Sequence, residues 1–207
     1  MIYRKTTKEI LGESLHELAH KKPVDKITIR EITENCGMST GTFYNHFHDK
    51  YELIAWIYNY QMEDIFLDFC EGNESCRQAL FDIVTILDSD RSFYKNALLH
   101  TAGQNSFFMA THQKSVELLT DVIRKTAGDK VDDELVFEAK FYLRGIAYSI
   151  IDRFFNGSDC TNEQFTDYLY RAMPEKLKPF LMNYHPKKKR NYGRKPEISG
   201  CLPPLSH

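Results

Sequence analysis

No stretch of the 207 residues reaches the roughly 18 to 20 uncharged apolar residues that a membrane-spanning helix requires. The opening residues, Met1-Ile2-Tyr3-Arg4-Lys5, run straight into Lys8, Glu9 and Glu13 with no apolar signal region behind them. A cytoplasmic chain with no membrane partner is expected. Cysteine is sparse: Cys36, Cys70, Cys76, Cys160 and Cys201 are odd in number and scattered, no pair has CxxC spacing, and no histidine stands near Cys70 and Cys76 to complete a zinc site. Reduced thiols are expected. Sustained two-residue alternation of apolar and polar residues is missing too, which argues against hairpins and sheets. No P-loop occurs, and the eight histidines read as scattered. No enzyme, catalytic residue, metal or cofactor is therefore expected.

Charge is nearly balanced overall, at −2, but unevenly spread. Residues 1–50 hold 8 Lys/Arg against 7 Asp/Glu, residues 51–184 hold 13 against 21, and residues 185–207 hold 6 against 1. An acidic middle repels a phosphate backbone, so contact with nucleic acid is expected at the two ends.

What is present reads as helix from end to end of residues 7–184. A first helix is expected over Thr7–His20, capped by Thr6 or Thr7, with Ile10, Leu11, Leu15 and Leu18 on one face. Pro23 ends that region. Thr28 with Glu31 has capping-box spacing and opens a second helix, which stops at Cys36-Gly37. Ser39 opens a short third helix through about Phe47. Asp49 caps a long fourth helix to about Phe69, with Glu52 completing another box. Further helices are expected over about 75–88, 91–102, 106–127, 133–156 and 162–172, the last behind a Thr161–Gln164 box. From His185 the composition turns to Lys, Arg, Pro and Gly without apolar periodicity, as in a disordered tail.

The segment Thr28 to Lys50 carries the functional signal. Two short helices meet at a tight turn, and the second places Phe43 and Phe47 four apart on one face. Thr40, Gly41, Thr42, Tyr44, Asn45 and His46 are left on the others. Such a helix suits a major groove, because its side chains are hydrogen-bonding groups and small residues at its start permit close approach. The residues Ile27-Thr28-Ile29-Arg30-Glu31-Ile32, Cys36-Gly37-Met38-Ser39, Gly41-Thr42-Phe43-Tyr44-Asn45-His46-Phe47, Asp49-Lys50 and Leu53 resemble the TetR/AcrR family over about the first quarter of the chain. Thr40 departs from the pattern, standing where lysine is common, which removes a cationic contact. The resemblance implies that Thr28 and Tyr44, with His46 beside them, bond phosphates, and that Lys50 clamps another. It places Ser39 at the start of the recognition helix, and Thr40, Gly41, Thr42 and Asn45 at base edges.

The expected fold class is all-α: a three-helix helix-turn-helix domain at residues 1–50, a helical regulatory and dimerisation domain at 51–184, and the basic tail at 185–207. The run Phe93–Leu98 followed by Gly103–Phe107 resembles the body of the dihydroxyacetone-kinase regulator (DhaS-like) subgroup. Tyr94, His100, Gln104, Asn105, His112, Arg144 and Tyr148 are polar groups among apolar neighbours and are the candidate lining of an effector pocket. Phe137, Phe141, Tyr142, Ile146, Ile150, Phe154, Phe155, Tyr168 and Leu169 offer more apolar surface than one small body needs. The resemblance implies that the last two long helices pair across a two-fold axis. The expected partners are double-stranded DNA, a second copy of the chain, and a small molecule or partner protein that controls it. The tail, with Lys187-Lys188-Lys189-Arg190 and Gly193-Arg194-Lys195-Pro196, is expected to add nonspecific attraction to DNA. The alternative function is an adaptor of the same fold that binds a protein and contacts DNA weakly or not at all.

Overall fold

Thr6 accepts the N–H of Glu9 on its hydroxyl while Glu9 accepts the N–H of Thr6, and this reciprocal cap opens α1 (Thr7–Ala19). The computed structural model describes residues 4–102, 106–128 and 131–182, and among these there is helix and no strand. After a single 3-10 turn at Val24–Lys26 come α2 (Ile29–Asn35), α3 (Thr40–Tyr44), α4 (Lys50–Glu71), α5 (Cys76–Ser89) and α6 (Arg91–Leu99). Then follow α7 (Phe107–Ala127), α8 (Asp133–Asn156), α9 (Asn162–Arg171) and α10 (Lys178–Leu181). The long helices fall where the apolar periodicity puts them. The third helix does not extend from Ser39 to Phe47 but closes after five residues, and the sixth stops at Leu99.

Local chemistry accounts for the ends. Thr28 and Glu31 form the expected box at α2, and Thr161 and Gln164 form one at α9. At α4, Asp49 Oδ1 accepts the N–H groups of Tyr51 and Glu52 at 2.8 and 2.9 Å. Glu52, however, reaches back to the N–H of His48 at 2.7 Å rather than to that of Asp49, so the reciprocal half of the box is shifted by one residue. Gly37, at φ +68°, ends α2. The N–H of Met38 meets Thr33 O at 2.8 Å and that of Gly37 meets Glu34 O at 3.2 Å, the paired bonds of a Schellman turn.

The described chain divides into two compact units. One holds residues 4–61, 89–102 and 106–111; the other holds 62–88, 112–128 and 131–182. The boundaries fall inside α4, between Gln61 and Met62, and inside α7, between Thr111 and His112.

In the first unit, Leu11, Leu15, Val24, Ile27, Ile32, Phe43, Leu53 and Ile57 are wholly buried. A Cβ at Gly12 would lie 3.0 Å from the Trp56 ring and 3.4 Å from Ile57, so a glycine inside α1 is what lets α4 approach. Ser14 Oγ donates to Ile32 O at 2.6 Å and ties α1 to α2. The segment α6 belongs to this unit although it lies outside residues 1–50. Asn96 donates to the carbonyls of Ala19 and Lys22 at 2.6 and 2.9 Å and accepts the N–H of Val24 at 3.0 Å, which pins the chain between α1 and α2.

In the second unit, α5 contributes Ala79, Leu80, Val84 and Leu87, α7 contributes Val122 and Ile123, and α8 contributes Leu135, Ala139, Tyr142, Ile146, Ile150 and Phe154. The Tyr142 hydroxyl donates to Leu169 O at 2.8 Å and Arg77 pairs with Asp167 at 2.8 Å, so α9 is held to both α8 and α5. Leu177 and Leu181 bury the turn around α10. Among the described residues Cys36, Cys70, Cys76 and Cys160 form no disulfide, and burial pushes Cys76 up to about 12.

Candidate nucleic-acid interface

Three short elements build the site: the Thr28 cap, the turn at Gly37 and α3. Phe43 and Phe47 are buried beneath α3, 0 and 2% exposed, with ring centroids 5.8 Å apart. Phe47 meets the edge of Trp56 from α4 and carries Lys8 Nζ 5.2 Å above its ring. This aromatic base fixes the outer face. Thr40, Gly41, Tyr44 and Asn45 are exposed, Tyr44 at 60%, and Thr42 and His46 are half-buried. Tyr44 packs only edge-on against Phe43, at 5.6 Å between centroids.

Ser39 is the N-cap of α3. Its hydroxyl accepts the N–H of Thr42 at 3.0 Å and lies 2.9 Å from Thr42 Oγ1. Thr28 is exposed, but its hydroxyl serves the cap of α2, bonding Glu31 Oε2 at 2.9 Å and accepting the N–H of Glu31 at 3.2 Å. Glu31 is also the partner of Lys22. The bond from Lys22, followed by those from the main chain and hydroxyl of Thr28, lowers its pKa from the ordinary 4.5 to about 2.

Lys50 has a role that the spacing of residues does not announce. Its Nζ donates to Asp25 O and Ile27 O, both at 2.7 Å, and burial lowers its pKa. Two of the three ammonium donors thus hold the loop that leads into α2. The other cations near this surface are paired as well: Lys26 with Asp25 at 3.0 Å and Arg30 with Glu34 at 2.7 Å. What α3 offers is therefore hydroxyl, phenol and amide groups rather than bare charge, a set suited to hydrogen bonds with phosphate oxygens and base edges.

The effector candidates are placed separately. In the first unit Tyr94 is wholly buried and its hydroxyl donates to Gln61 Oε1; burial raises its pKa well above the ordinary value. His100 caps the end of α6, 3.4 Å from Asp25 Oδ1. In the second unit the pKa of His112 is lowered by burial and then by the charge of Arg144. Tyr148 lines an open cleft of about 450 Å³ with Ser149, Asp152, Arg153 and Phe165. Gln104 and Asn105, like the tail from His185 onward, lie outside the described residues.

Of the apolar side chains on α8 and α9, Tyr142, Ile146, Ile150, Phe154 and Leu169 are core, whereas Phe137, Phe141, Tyr148, Phe155 and Tyr168 are exposed. Among the described residues, no helix is long and apolar enough to cross a membrane.

Residues 13–57 match the family profile of the bacterial regulatory proteins of the tetR family. The HTH-type dhaKLM operon transcriptional activator DhaS of Lactococcus lactis subsp. lactis (strain IL1403) is 23% identical over 106 residues, which are 50% of this chain and about half, 54%, of that protein. A solved structure of the dihydroxyacetone kinase operon activator DhaS shares the fold with a TM-score of 0.58 at 19% identity, over 84% of this chain and 98% of that one. A TetR transcriptional regulator from Rhodococcus sp. RHA1 does so with a TM-score of 0.59 at 16% identity, over 81% of this chain and 94% of that one. The matched segment runs from inside α1 through α2 and α3 into α4, the elements that carry the exposed face of α3; over these residues the chain is similar to the tetR family of bacterial regulatory proteins, and its fold is like that of the DhaS structure.

Proposed function

We propose that this chain regulates transcription as a homodimer that places α3 of each copy in successive major grooves of a near-palindromic operator. The observation that carries this reading is the division of α3 itself: Phe43 and Phe47 are buried while Thr40, Gly41, Tyr44 and Asn45 face outward. In this reading Tyr44 and Thr28 bond phosphates with His46 beside them, Thr40, Gly41, Thr42 and Asn45 lie at base edges, Ser39 holds the helix start, and Lys50 supports the site through the loop before α2. The exposed Phe137, Phe141, Tyr148, Phe155 and Tyr168 support a partner copy on α8 and α9, because so much aromatic surface on a soluble body calls for cover. A small molecule or partner protein controls the dimer, and the cleft beside Tyr148 is one place for it.

The test is binding of the full chain to its own upstream DNA against scrambled DNA. Tyr44→Ala weakens binding to both by about 5- to 10-fold, as loss of one positioning contact does, with little change in stability. Asn45→Ala instead narrows the gap between the two, by up to about 1–3 kcal/mol of discrimination. Unfolding by Tyr44→Ala, together with unchanged preference in Asn45→Ala, overturns these roles.

A second reading, the adaptor, is favoured by one observation. Lys22, Lys26 and Arg30 are each paired with a carboxylate and Lys50 with two carbonyls, which leaves the site little cationic pull on phosphate. Absence of binding to upstream DNA at low salt, with a dimeric and folded chain, selects it.

A further inference from the structure

The histidines are not all scattered. His16-Glu17-Leu18-Ala19-His20 has the HExxH spacing, which puts two imidazoles on one face of a helix in the manner of zinc ligands. The third group that such a site needs stands 70 residues further on. In the structure Nε2 of His16 is hydrogen-bonded to Oδ2 of Asp90, and Nε2 of His20 lies 3.5 Å from Oδ1 of the same carboxylate. One ligand atom from each of the three residues falls within 4.8 Å of the others.

We infer that His16, His20 and Asp90 form a site for a divalent first-row transition metal of the zinc class, clamping α1 to the start of α6. Four observations independent of the spacing support it. Asp90 is the N-cap of α6, yet its side chain makes no capping bond. It is 3% exposed, and its Oδ1 has no hydrogen-bond donor although it faces an imidazole. Ser92 Oγ lies 2.9 Å from Nδ1 of His20; with Nδ1 donating there, Nε2 turns a lone pair to the cluster, the outer bond that metal-bound histidines ordinarily make. The His20 side chain is 31% exposed, which leaves an entry path and room for a solvent ligand, whereas those of His16 and Asp90 are nearly closed off.

A tetrahedral ion with bonds of about 2.0–2.1 Å holds its ligand atoms roughly 3.3–3.5 Å apart. The His20–Asp90 separation already suits that, and the His16–Asp90 bond opens to admit the ion. The buried Oδ1 then gains a cation in place of an imidazole lone pair. Hydrolytic chemistry does not follow from the spacing. Glu17, which would be the general base in such an enzyme, is turned to Lys21 at 2.6 Å and Asn35 at 3.2 Å and is not part of the cluster. The site is a structural clamp.

Zinc and cobalt(II) chlorides, titrated separately into the metal-free full chain, test this. The expected result is one Co2+ per chain with visible d–d absorption and no near-ultraviolet thiolate charge-transfer band, together with a Tm that rises with added Zn2+. His20→Gln, at the least buried ligand, abolishes both responses while the variant stays folded, and Ser92→Ala weakens Zn2+ binding by about 10- to 100-fold. Circular dichroism of each variant without metal separates loss of binding from loss of fold. No saturable Co2+ signal and no Tm shift in the unaltered chain overturn the site. So does an unchanged response in His20→Gln, or a thiolate band, which would assign the metal to cysteine.

Discussion

The side-chain oxygen of Asn96 accepts the main-chain N–H of Val24 at 3.0 Å, across 72 positions of sequence. The same amide donates to the carbonyls of Ala19 and Lys22, so one residue of α6 satisfies three main-chain groups that the end of α1 and the following turn leave without helical partners. Asn96→Ala is expected to cost about 2–3 kcal/mol in urea unfolding, because those groups become unsatisfied in a partly buried place. Asn96→Asp is expected to do no better, since it sets a carboxylate oxygen against two carbonyls. A loss below about 0.5 kcal/mol, the level of an ordinary surface change, contradicts the assignment.

Lys50→Met keeps the apolar stem and removes the ammonium that holds Asp25 O and Ile27 O. A loss of about 1–3 kcal/mol is expected by chemical denaturation, with increased hydrogen exchange at the amides of the loop before α2. If the ammonium also holds a phosphate, the dependence of log affinity on log salt falls by about one unit on the same substitution.

Acid should loosen the start of α2. The Glu31 pKa is lowered from 4.5 to about 2 in the folded chain, so its contribution to stability is fully present above the unfolded value. That contribution is lost as pH falls from 4.5 toward about 2. Glu31→Gln removes this part of the acid response and also frees Lys22. Titration of stability for the two chains over that range checks it: parallel curves below pH 4.5 exclude a role for the carboxylate.

The exposed and buried members of α8 should behave differently when given a charge. Phe141 is 67% exposed and Ile150 is 7% exposed. Phe141→Glu is expected to yield folded monomers with poor DNA affinity, seen by sedimentation and circular dichroism. Ile150→Glu is expected to cost several kcal/mol of stability, because an unpaired charge enters the core of the second unit. A Phe141→Glu chain that stays dimeric at micromolar concentration moves the interface elsewhere.

Much of the helical outline was legible because its signals are local. Thr6, Thr28 and Thr161 each cap a helix through a partner three residues away, Gly37 ends α2 through bonds three and five residues long, and the apolar faces recur every three or four positions. The short recognition helix with Phe43 and Phe47 beneath it is of the same kind. Its length was not: a 3.6-residue pattern does not say where a five-residue helix stops when the next residues still bury a phenylalanine.

What a linear reading cannot supply is which distant group takes up a polar atom. Lys50 reads as a phosphate clamp until Asp25 O and Ile27 O are seen to face it. Asp90 carries no mark in the sequence of the His16 and His20 found beside it, and α6 reads as part of the body until Asn96 binds the end of α1. The aromatic residues of α8 likewise share one apolar character in sequence. Only burial within the second unit divides Tyr142, which is core, from Phe137 and Phe141, which are surface. The sequence by itself therefore determined the helices and the outward chemistry of α3, since both rest on neighbours within one or two turns. The tertiary structure decided which side chains are committed to other elements, because a hydrogen bond or a buried contact across 70 positions depends on where the chain returns and leaves no periodic trace.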